Sequence, residues 1–531
     1  MVQATKEDRV IGPPGTGKTT FLTRVIGHNA QEYGSDNVIA ISHTRAAAAE
    51  LAGRNTPIPR GNIGTMHSFA FQAIGTPPLA EDGEHLREFV EAHPQWNLSA
   101  IADPEDIAFT VGGTEADRSQ QEYQRCRNLE TPRQAWPASA MEFASDWEDY
   151  KKQTGTIDFT DMIELAIADT DSPLQDPAVM IADECQDTSR LQWRLLTRWA
   201  ERCEKFVTAG DPDQSIFRWA GADVNYFAEN RPMRQKVLEQ SYRVPRAVHA
   251  LAMEWIEQAT DREAVSYLAR NEDGSVLRIN ATHKYPEPLL DVIEQAEADG
   301  KTVMIQATCG YMLRPTIEVL KREGIPFANP WRVKQASGWN PLAPRGERST
   351  VSALQAFLKP HLHGALWTKA EAEQWLSALK GVLAHGCKKR FSENVQDNWT
   401  PEEVLDKITE YLSDPEDVGR IIAPPPDCLD WFEAHLLASK QHPAEYPLHV
   451  ARKRGVPCLQ QDPRVYIGTC HSFKGAEADI NIVFPDLSYQ GYSEWQGPGR
   501  NDVVRLFYVA ITRTKETLYL GSASNGMGVW S

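Results

Sequence analysis

Gly12-Pro-Pro-Gly-Thr-Gly17-Lys18-Thr19-Thr20 is the stretch on which the reading of this chain turns. Its spacing, G-x-x-x-x-G-K-T, brings together the three things a phosphate group needs. Glycines let the backbone wrap the oxygens with N–H groups, a lysine neutralises the outer phosphates, and a hydroxyl can ligate Mg2+. A helix opening at Thr19 adds the positive end of its dipole. Gly12, Pro13, Pro14, Gly15, Thr16, Gly17, Lys18, Thr19 and Thr20 are therefore the expected phosphate contacts. A second segment answers the first: Val179-Met-Ile-Ala-Asp183-Glu184, an apolar run ending in two acids. An Asp at a strand end beside such a loop can hold Mg2+ together with Thr19. The neighbouring Glu184 can orient or deprotonate a water. Alone, an acidic pair after a strand is usually a helix N-cap region; beside a phosphate loop, a nucleotidase is the better reading.

Working outward, buried strands are expected at Asn37–Ser42, Ala178–Asp183 and Phe206–Gly210. Their unbroken apolar character suits a parallel sheet covered on both faces. Helices are expected at Arg45–Arg54 and Ser189–Cys203. A similar set recurs at Val276–Ala281, Thr302–Ala307, Val465–Thr469, Asp479–Phe484 and Thr517–Gly521, with a helix over Leu313–Glu323 stopped by Gly324. The fold class is thus α/β, with two parallel-sheet units, each interrupted by a mostly helical insertion. A chain of 531 residues also exceeds the roughly 250–300 residues at which one core stops growing. The expected division is 1–75 with 151–232, an insertion at 76–150, then 233–335 with 461–531, and an insertion at 336–460.

Hydrophobic content of 41% and charged content of 24% are those of an ordinary globular protein. No apolar run approaches the roughly 20 residues needed to span a bilayer, and the polar start is no signal peptide, so a cytoplasmic protein without membrane partners is expected. Eight scattered cysteines without a C-x-x-C pair argue against a zinc ribbon, an iron–sulfur cluster or a disulfide frame. The net charge of −18 argues against a broad nucleic-acid-binding surface but leaves room for a local basic groove.

Further segments follow in a telling order: AISHTRAAAAEL at Ala40–Leu51, GTMHSFA at Gly64–Ala70, IDFTDMI at Ile157–Ile163, and DECQDTSRLQ at Asp183–Gln192. AGDPDQSIFRWAGAD at Ala209–Asp223, LEQSYR at Leu238–Arg243, GTCHSFKGAEAD at Gly468–Asp479 and RLFYVAITR at Arg505–Arg513 complete the series. In order and wording the chain resembles the UvrD/Rep/PcrA branch of superfamily 1 DNA helicases across nearly its whole length. The resemblance implies two RecA-like domains and an ATP-dependent motor that moves 3′→5′ on single-stranded DNA. Its partners would be single strands, single-strand/duplex junctions and replication or repair proteins. By resemblance, Lys18 and Thr19 bind phosphate and Mg2+, Asp183 completes the metal site, and Glu184 activates water. Gln214 senses the γ-phosphate, Tyr242 stacks on adenine, Glu477 contacts the nucleotide, and Arg243 and Arg513 reach the γ-phosphate. Without the resemblance, both arginines read as surface residues.

For DNA, Phe217 and Trp219 match the family's stacking aromatics; stacking grips any sequence because every base has a π-face. His43, Thr44, Thr65, His67, Thr469, His471 and Ser472 fall at the family's DNA-contact positions, although lone Thr and His residues are more often caps. The chain departs from the pattern in carrying His43, Ala46 and Ala220 where relatives have Phe, Lys and Arg, which predicts weaker single-strand affinity. Only eleven residues precede Gly12 and Gln3 is too close to read adenine, so relaxed nucleotide selectivity is expected. With eighteen residues after Arg513, neither a fused nuclease nor a C-terminal partner-binding domain is expected. Two basic runs, Lys388–Arg390 and Arg452–Arg454, are candidate duplex contacts. A remodelling ATPase that strips proteins from DNA without much unwinding is the alternative reading.

Overall fold

A computed structural model of the chain describes residues 7–98, 114–174, 176–224, 227, 232–330, 339–344, 346, 349–524 and 526–530. Gln3, the side chain of Ala46 and the expected boundary at 335/336 lie outside them. By contacts the chain divides into two compact units. The first comprises Met1–Asn280, Gln306–Met312 and Thr469–Ser531, the second Ala281–Ile305 and Leu313–Gly468.

The first unit is built on a six-stranded parallel sheet. Its order is β3 (Ile63–Thr65), β2 (Val38–Ser42), β4 (Val179–Ala182), β5 (Lys205–Gly210), β1 (Glu7–Ile11) and β6 (Arg234–Val237). Strand residues alternate between two cores, which is why the sequence shows no polar face. Val38 and Ala40 join Leu22 and Ile26 of the helix Lys18–Tyr33 on one side. Ile39 and Ile41 join Leu195 and Trp199 of the helix Arg190–Ala200 on the other. β1 was not legible as a strand, because its sequence is EDRVI. Glu7 and Arg9 are buried there as a pair, with Arg9 Nη2 2.9 Å from Glu7 Oε1 and the Thr208 hydroxyl donating to the same oxygen at 2.5 Å. Partners supplied within the fold make a charged strand tolerable in a covered sheet.

A second six-stranded parallel sheet has the order β11 (Phe327–Ala328), β12 (Val465–Thr469), β10 (Val303–Ala307), β13 (Ala478–Val483), β14 (Thr514–Gly521) and β9 (Ser275–Ile279). A short parallel pair, β7 (Gln240–Pro245) with β8 (Leu268–Arg270), carries the Ser241-Tyr-Arg243 segment. The strands expected at Val465–Thr469 and Thr302–Ala307 are found to within a residue, and β14 begins earlier than expected, at Thr514. The helix expected to end near Gly324 spans Arg314–Arg322, and Gly324 has φ +58°.

The first insertion contains the helices Gly83–Ala92, Glu115–Asn128 and Ala138–Thr154. They close over an aromatic core in which the Phe89 and Trp147 rings meet edge to face at 4.7 Å. The second unit is largely helical beyond its strands. Phe357, Trp367, Trp375 and Trp431 pack together there. Among the described residues, no helix is long and apolar enough to cross a membrane.

One buried cluster ties the first insertion to the helix Phe159–Asp169. Asp158 caps that helix by accepting from the Asp161 N–H at 2.7 Å. It is fully buried, accepts from Arg127 Nη1 at 3.0 Å and from Trp147 Nε1 at 3.0 Å, and pairs with Lys151. Burial opposes its charge, yet Arg127 and Lys151 outweigh it and hold the carboxyl far below its usual range. Stability linked to that depressed value is complete above about pH 4, the value of a free Asp, and drains away as pH falls below it. Asp158→Asn should therefore cost about 3–5 kcal/mol in urea unfolding followed by tryptophan fluorescence. The gap to the parent should narrow below about pH 4. A loss under about 1 kcal/mol would remove the cluster from the list of features holding this insertion.

Candidate active site

β1 leads directly into the phosphate loop, and β4 ends at Asp183 and Glu184. Because β4 is separated from β1 only by β5, the strand order sets the two motifs side by side. The Gly12 N–H donates to Gly210 O at 3.0 Å, pinning the loop to the end of β5. Gly15 and Gly17 have φ of +72° and +77°, a region open to glycine at no steric cost. At Gly12 a Cβ would lie 2.9 Å from Lys18 Cβ, so only glycine lets the loop fold back on the helix start. Thr16 closes the turn, its hydroxyl donating to Pro13 O at 2.8 Å.

The Lys18 ammonium pairs with both Asp183 and Glu184. Burial works against its charge, but the two carboxylates prevail and raise its pKa. Glu184 stands at φ +58°, a left-handed conformation uncommon for a residue with a side chain and frequent at functional sites. Its Oε2 accepts from Gln186 Nε2 at 2.5 Å and lies 4.0 Å from Lys474 Nζ. Gln186 is fully buried and also takes the Asp211 N–H at 3.0 Å through its Oε1. Asp183 and Thr19 offer hard oxygen donors of the kind Mg2+ prefers.

Two distant segments reach this loop. The Ser241 hydroxyl and the Tyr267 hydroxyl both donate to Pro14 O at 2.9 Å, and the Tyr242 N–H donates to Gly15 O at 2.8 Å. Tyr242 itself is 72% exposed, its ring edge 3.9 Å from where a Gly17 Cβ would be. Arg243 donates through Nε to Glu477 Oε2 at 2.7 Å, and Lys515 Nζ lies 3.0 Å from the other Glu477 oxygen. Burial opposes the charge of Glu477, but these cations hold its carboxyl down at about 2. Arg513 is 1% exposed, so reading it from sequence as a surface arginine needs correction. Backbone carbonyls of Val509 and Ala476 accept from its guanidinium, and its Nη2 donates to Gln214 Oε1 at 2.9 Å. Burial, helped by nearby Arg243, lowers its pKa to about 9. Gln214 in turn donates from Nε2 to Asp211 Oδ2 at 2.6 Å, which fixes the orientation of its amide.

Beyond Gln214 lies an aromatic group. Phe217 has Trp219 at 6.3 Å, His43 at 6.0 Å, His471 at 6.1 Å and the Lys474 ammonium at 5.2 Å from its ring centroid. The Trp219 Nε1 is buried without a hydrogen-bond partner among the described residues. Burial and the charge of Lys474 lower the His43 pKa to about 4, so its imidazole is neutral at physiological pH.

Residues 2–233, which include the loop, the two acids, His43, Phe217 and Trp219, match the UvrD/REP helicase N-terminal domain. The chain is also similar to ATP-dependent DNA helicases PcrA. That of Bacillus subtilis is 26% identical over 295 residues, covering 49% of this chain and 39% of the relative. That of Staphylococcus epidermidis is 25% identical over 303 residues, covering 51% and 40%. That of Leuconostoc citreum is 24% identical over 320 residues, covering 54% and 42%. The chain thus spans about two-fifths of the length of these relatives.

Within the matched region several sequence-predicted residues have local structural duties. Thr44 and Thr65 are N-caps, accepting from Ala47 N at 3.1 Å and Ser68 N at 3.2 Å. Beyond the matched region, Thr469 likewise accepts from Ser472 N at 3.2 Å. The His67 ring meets Phe159 edge-on at 6.0 Å. Thr20 is turned outward, its hydroxyl accepting from Arg54 at 2.9 Å. Sequence reasoning missed Gln186, Asp211, Tyr267 and Lys474. Gln186 and Lys474 sat inside quoted motifs, whereas no pattern marks Tyr267. A methyl at Gly15 would stand 2.4 Å from Arg243 Cβ in a backbone region costing about 1–2 kcal/mol for other residues. Gly15→Ala is thus expected to lower the melting temperature and weaken binding of a fluorescent nucleoside triphosphate at least tenfold. Unchanged affinity would mean that the close approach of Arg243 is dispensable.

Proposed function

We propose that the chain is an ATP-dependent DNA helicase that translocates 3′→5′ on single-stranded DNA and opens duplexes in replication, repair or recombination. The observation that carries this reading is the meeting, within one compact unit, of Lys18, Asp183 and Glu184 with Gln214, Arg243 and Arg513. The family match and the aromatic group beside Gln214 support it. Lys18 and the loop N–H groups take the ATP phosphates, and the exposed Tyr242 ring stacks on adenine. Thr19 and Asp183 would hold Mg2+, which neutralises phosphate charge when bound. Glu184 orients and deprotonates water, while Arg243 and Arg513 meet the charge that develops on the γ-phosphate. Glu477 keeps Arg243 aligned. Each cycle closes and reopens the two α/β portions whose segments meet at the loop. The strand runs over Phe217 and Trp219 by stacking, with His43, Thr44, Thr65, His67, Thr469, His471 and Ser472 along its path.

A second reading, a translocase that strips proteins with little unwinding, is favoured by one observation. Arg452 pairs with Asp430 and Glu433, Lys453 with Glu323, and Arg454 with Glu297. That basic run is neutralised within its own unit, which weakens it as a duplex contact.

Duplexes with a 3′ or a 5′ single-stranded tail separate these readings, run beside displacement of a protein roadblock. Unwinding of the 3′-tailed substrate alone is expected, with Glu184→Gln lowering ATP turnover by about 10²–10⁴-fold. Arg513→Ala should lower it about 10³-fold with little change in KM. Roadblock displacement without strand separation would select the second reading. DNA-independent turnover, indifferent to either tail, would sink both.

A further inference from the structure

Arg218 stands between the two aromatic residues that carry the strand in the reading above, and its charge is already taken. The N–H groups of Ala220 and Ala222 donate to Phe217 O at 2.9 and 3.2 Å, and that of Gly221 donates to Arg218 O at 3.0 Å, folding this segment into a tight turn. Asn128 Nδ2 donates to Ala220 O at 3.2 Å and fixes the turn on the helix Glu115–Asn128. Phe217 and Trp219 are both only partly buried. From the turn the Arg218 guanidinium reaches two carboxylates, donating through Nη1 to Asp502 Oδ1 at 3.0 Å and to Asp261 Oδ2 at 3.5 Å.

The two acids depend on Arg218 unequally. Asp261 accepts from both terminal nitrogens of the buried Arg505, at 2.7 and 3.2 Å. Burial opposes its charge, but Arg505 outweighs it and holds the carboxyl below the usual range. Among the described residues, Arg218 is the one cation within ion-pair distance of Asp502. Burial pushes that carboxyl up, with Arg218 and Arg505 opposing the shift and the charge of Asp261 adding to it. Asp502 lies in the first turn of the helix Arg500–Ile511, where the dipole favours negative charge, so it is not stranded when a cation leaves. A guanidinium grips phosphate with the same fork it offers a carboxylate, so these acids occupy the donors that a strand phosphate would use. The side chains of Arg218, Asp261 and Asp502 are 35%, 31% and 34% exposed. Pairs this open are screened and worth up to about fivefold in an equilibrium constant, little enough for a phosphate to displace them.

We propose that Arg218 is a phosphate contact of the single strand, and that Asp502, with Asp261 beside it, masks that contact in the free protein by standing in for phosphate. This rests on reading Phe217 and Trp219 as the single-strand platform. Every strand that binds must first win Arg218 from its own chain, which lowers affinity without removing the contact.

Binding of fluorescent oligothymidylate to the full chain, without nucleotide and over a range of salt concentrations, tests the mask. Asp502→Asn should tighten binding about three- to fivefold, and Asp502→Ser, which removes the same charge with a different shape, should do likewise. Arg218→Gln in the Asp502→Asn background should return affinity to the parental value or below. It should also flatten the dependence of log Kd on log salt by about 0.7, the worth of one phosphate contact on a single strand. Arg218→Lys in the same background should keep the slope, because the charge remains. Folded Asp502 variants that bind no more tightly than the parent would overturn the proposal. So would a gain that survives Arg218→Gln, since the loss of one negative charge from an acidic chain would then account for it. A salt slope indifferent to Arg218→Gln would overturn it equally, because Arg218 would then touch no phosphate. Trp219→Ala, expected to weaken binding about tenfold, checks the platform itself. If that variant binds like the parent, the platform reading fails and the mask falls with it. If it weakens binding while the Asp502 variants stay level with the parent, the mask alone fails.

Discussion

The Lys18 ammonium, enclosed between Asp183 and Glu184, is the contact on which the rest of the site depends. It joins the first helix to the end of β4, and thereby fixes how far apart the loop and the acids stand. Because the three groups are largely removed from water, each is held by the others more strongly than a surface pair would be. Burial pushes the Asp187 carboxyl up to about 6 despite Lys474 beside it, because removal from water disfavours the charged form.

Around that centre the molecule uses buried charge repeatedly, always in closed sets. Glu7 with Arg9 allows a charged strand inside a covered sheet. Asp158 with Arg127 and Lys151 docks the first insertion. Arg262 grips Asp213 through two nitrogens, beside the Asp211 that orients Gln214. Loss of one member of any of these sets would be destabilising. The acidic surplus of the whole chain therefore says little about the site, where carboxylates stand beside cations.

The phosphate loop, the acidic strand end and the buried strands β2, β4, β5 and β10 were legible because their chemistry is local. A glycine spacing or an apolar run carries its meaning within a few residues. β1 and β6 were not, since EDRVI and RQKV have no strand signature and are strands only because neighbours pair with them. The same holds for Thr44, Thr65 and Thr469, whose capping bonds were foreseeable as an alternative and are present.

By itself the sequence determined two parallel α/β sheets with helical regions and a glycine-rich loop of phosphate-binding spacing, since backbone conformation and burial pattern are written in short range. Only the tertiary structure decided that Arg513 is buried against Gln214, that Tyr267 braces Pro14, and that Lys474 stands between Glu184 and Phe217. These are pairings across more than two hundred residues, and a side chain's charge state and partner depend on what the fold brings within a few ångströms, which no local pattern encodes.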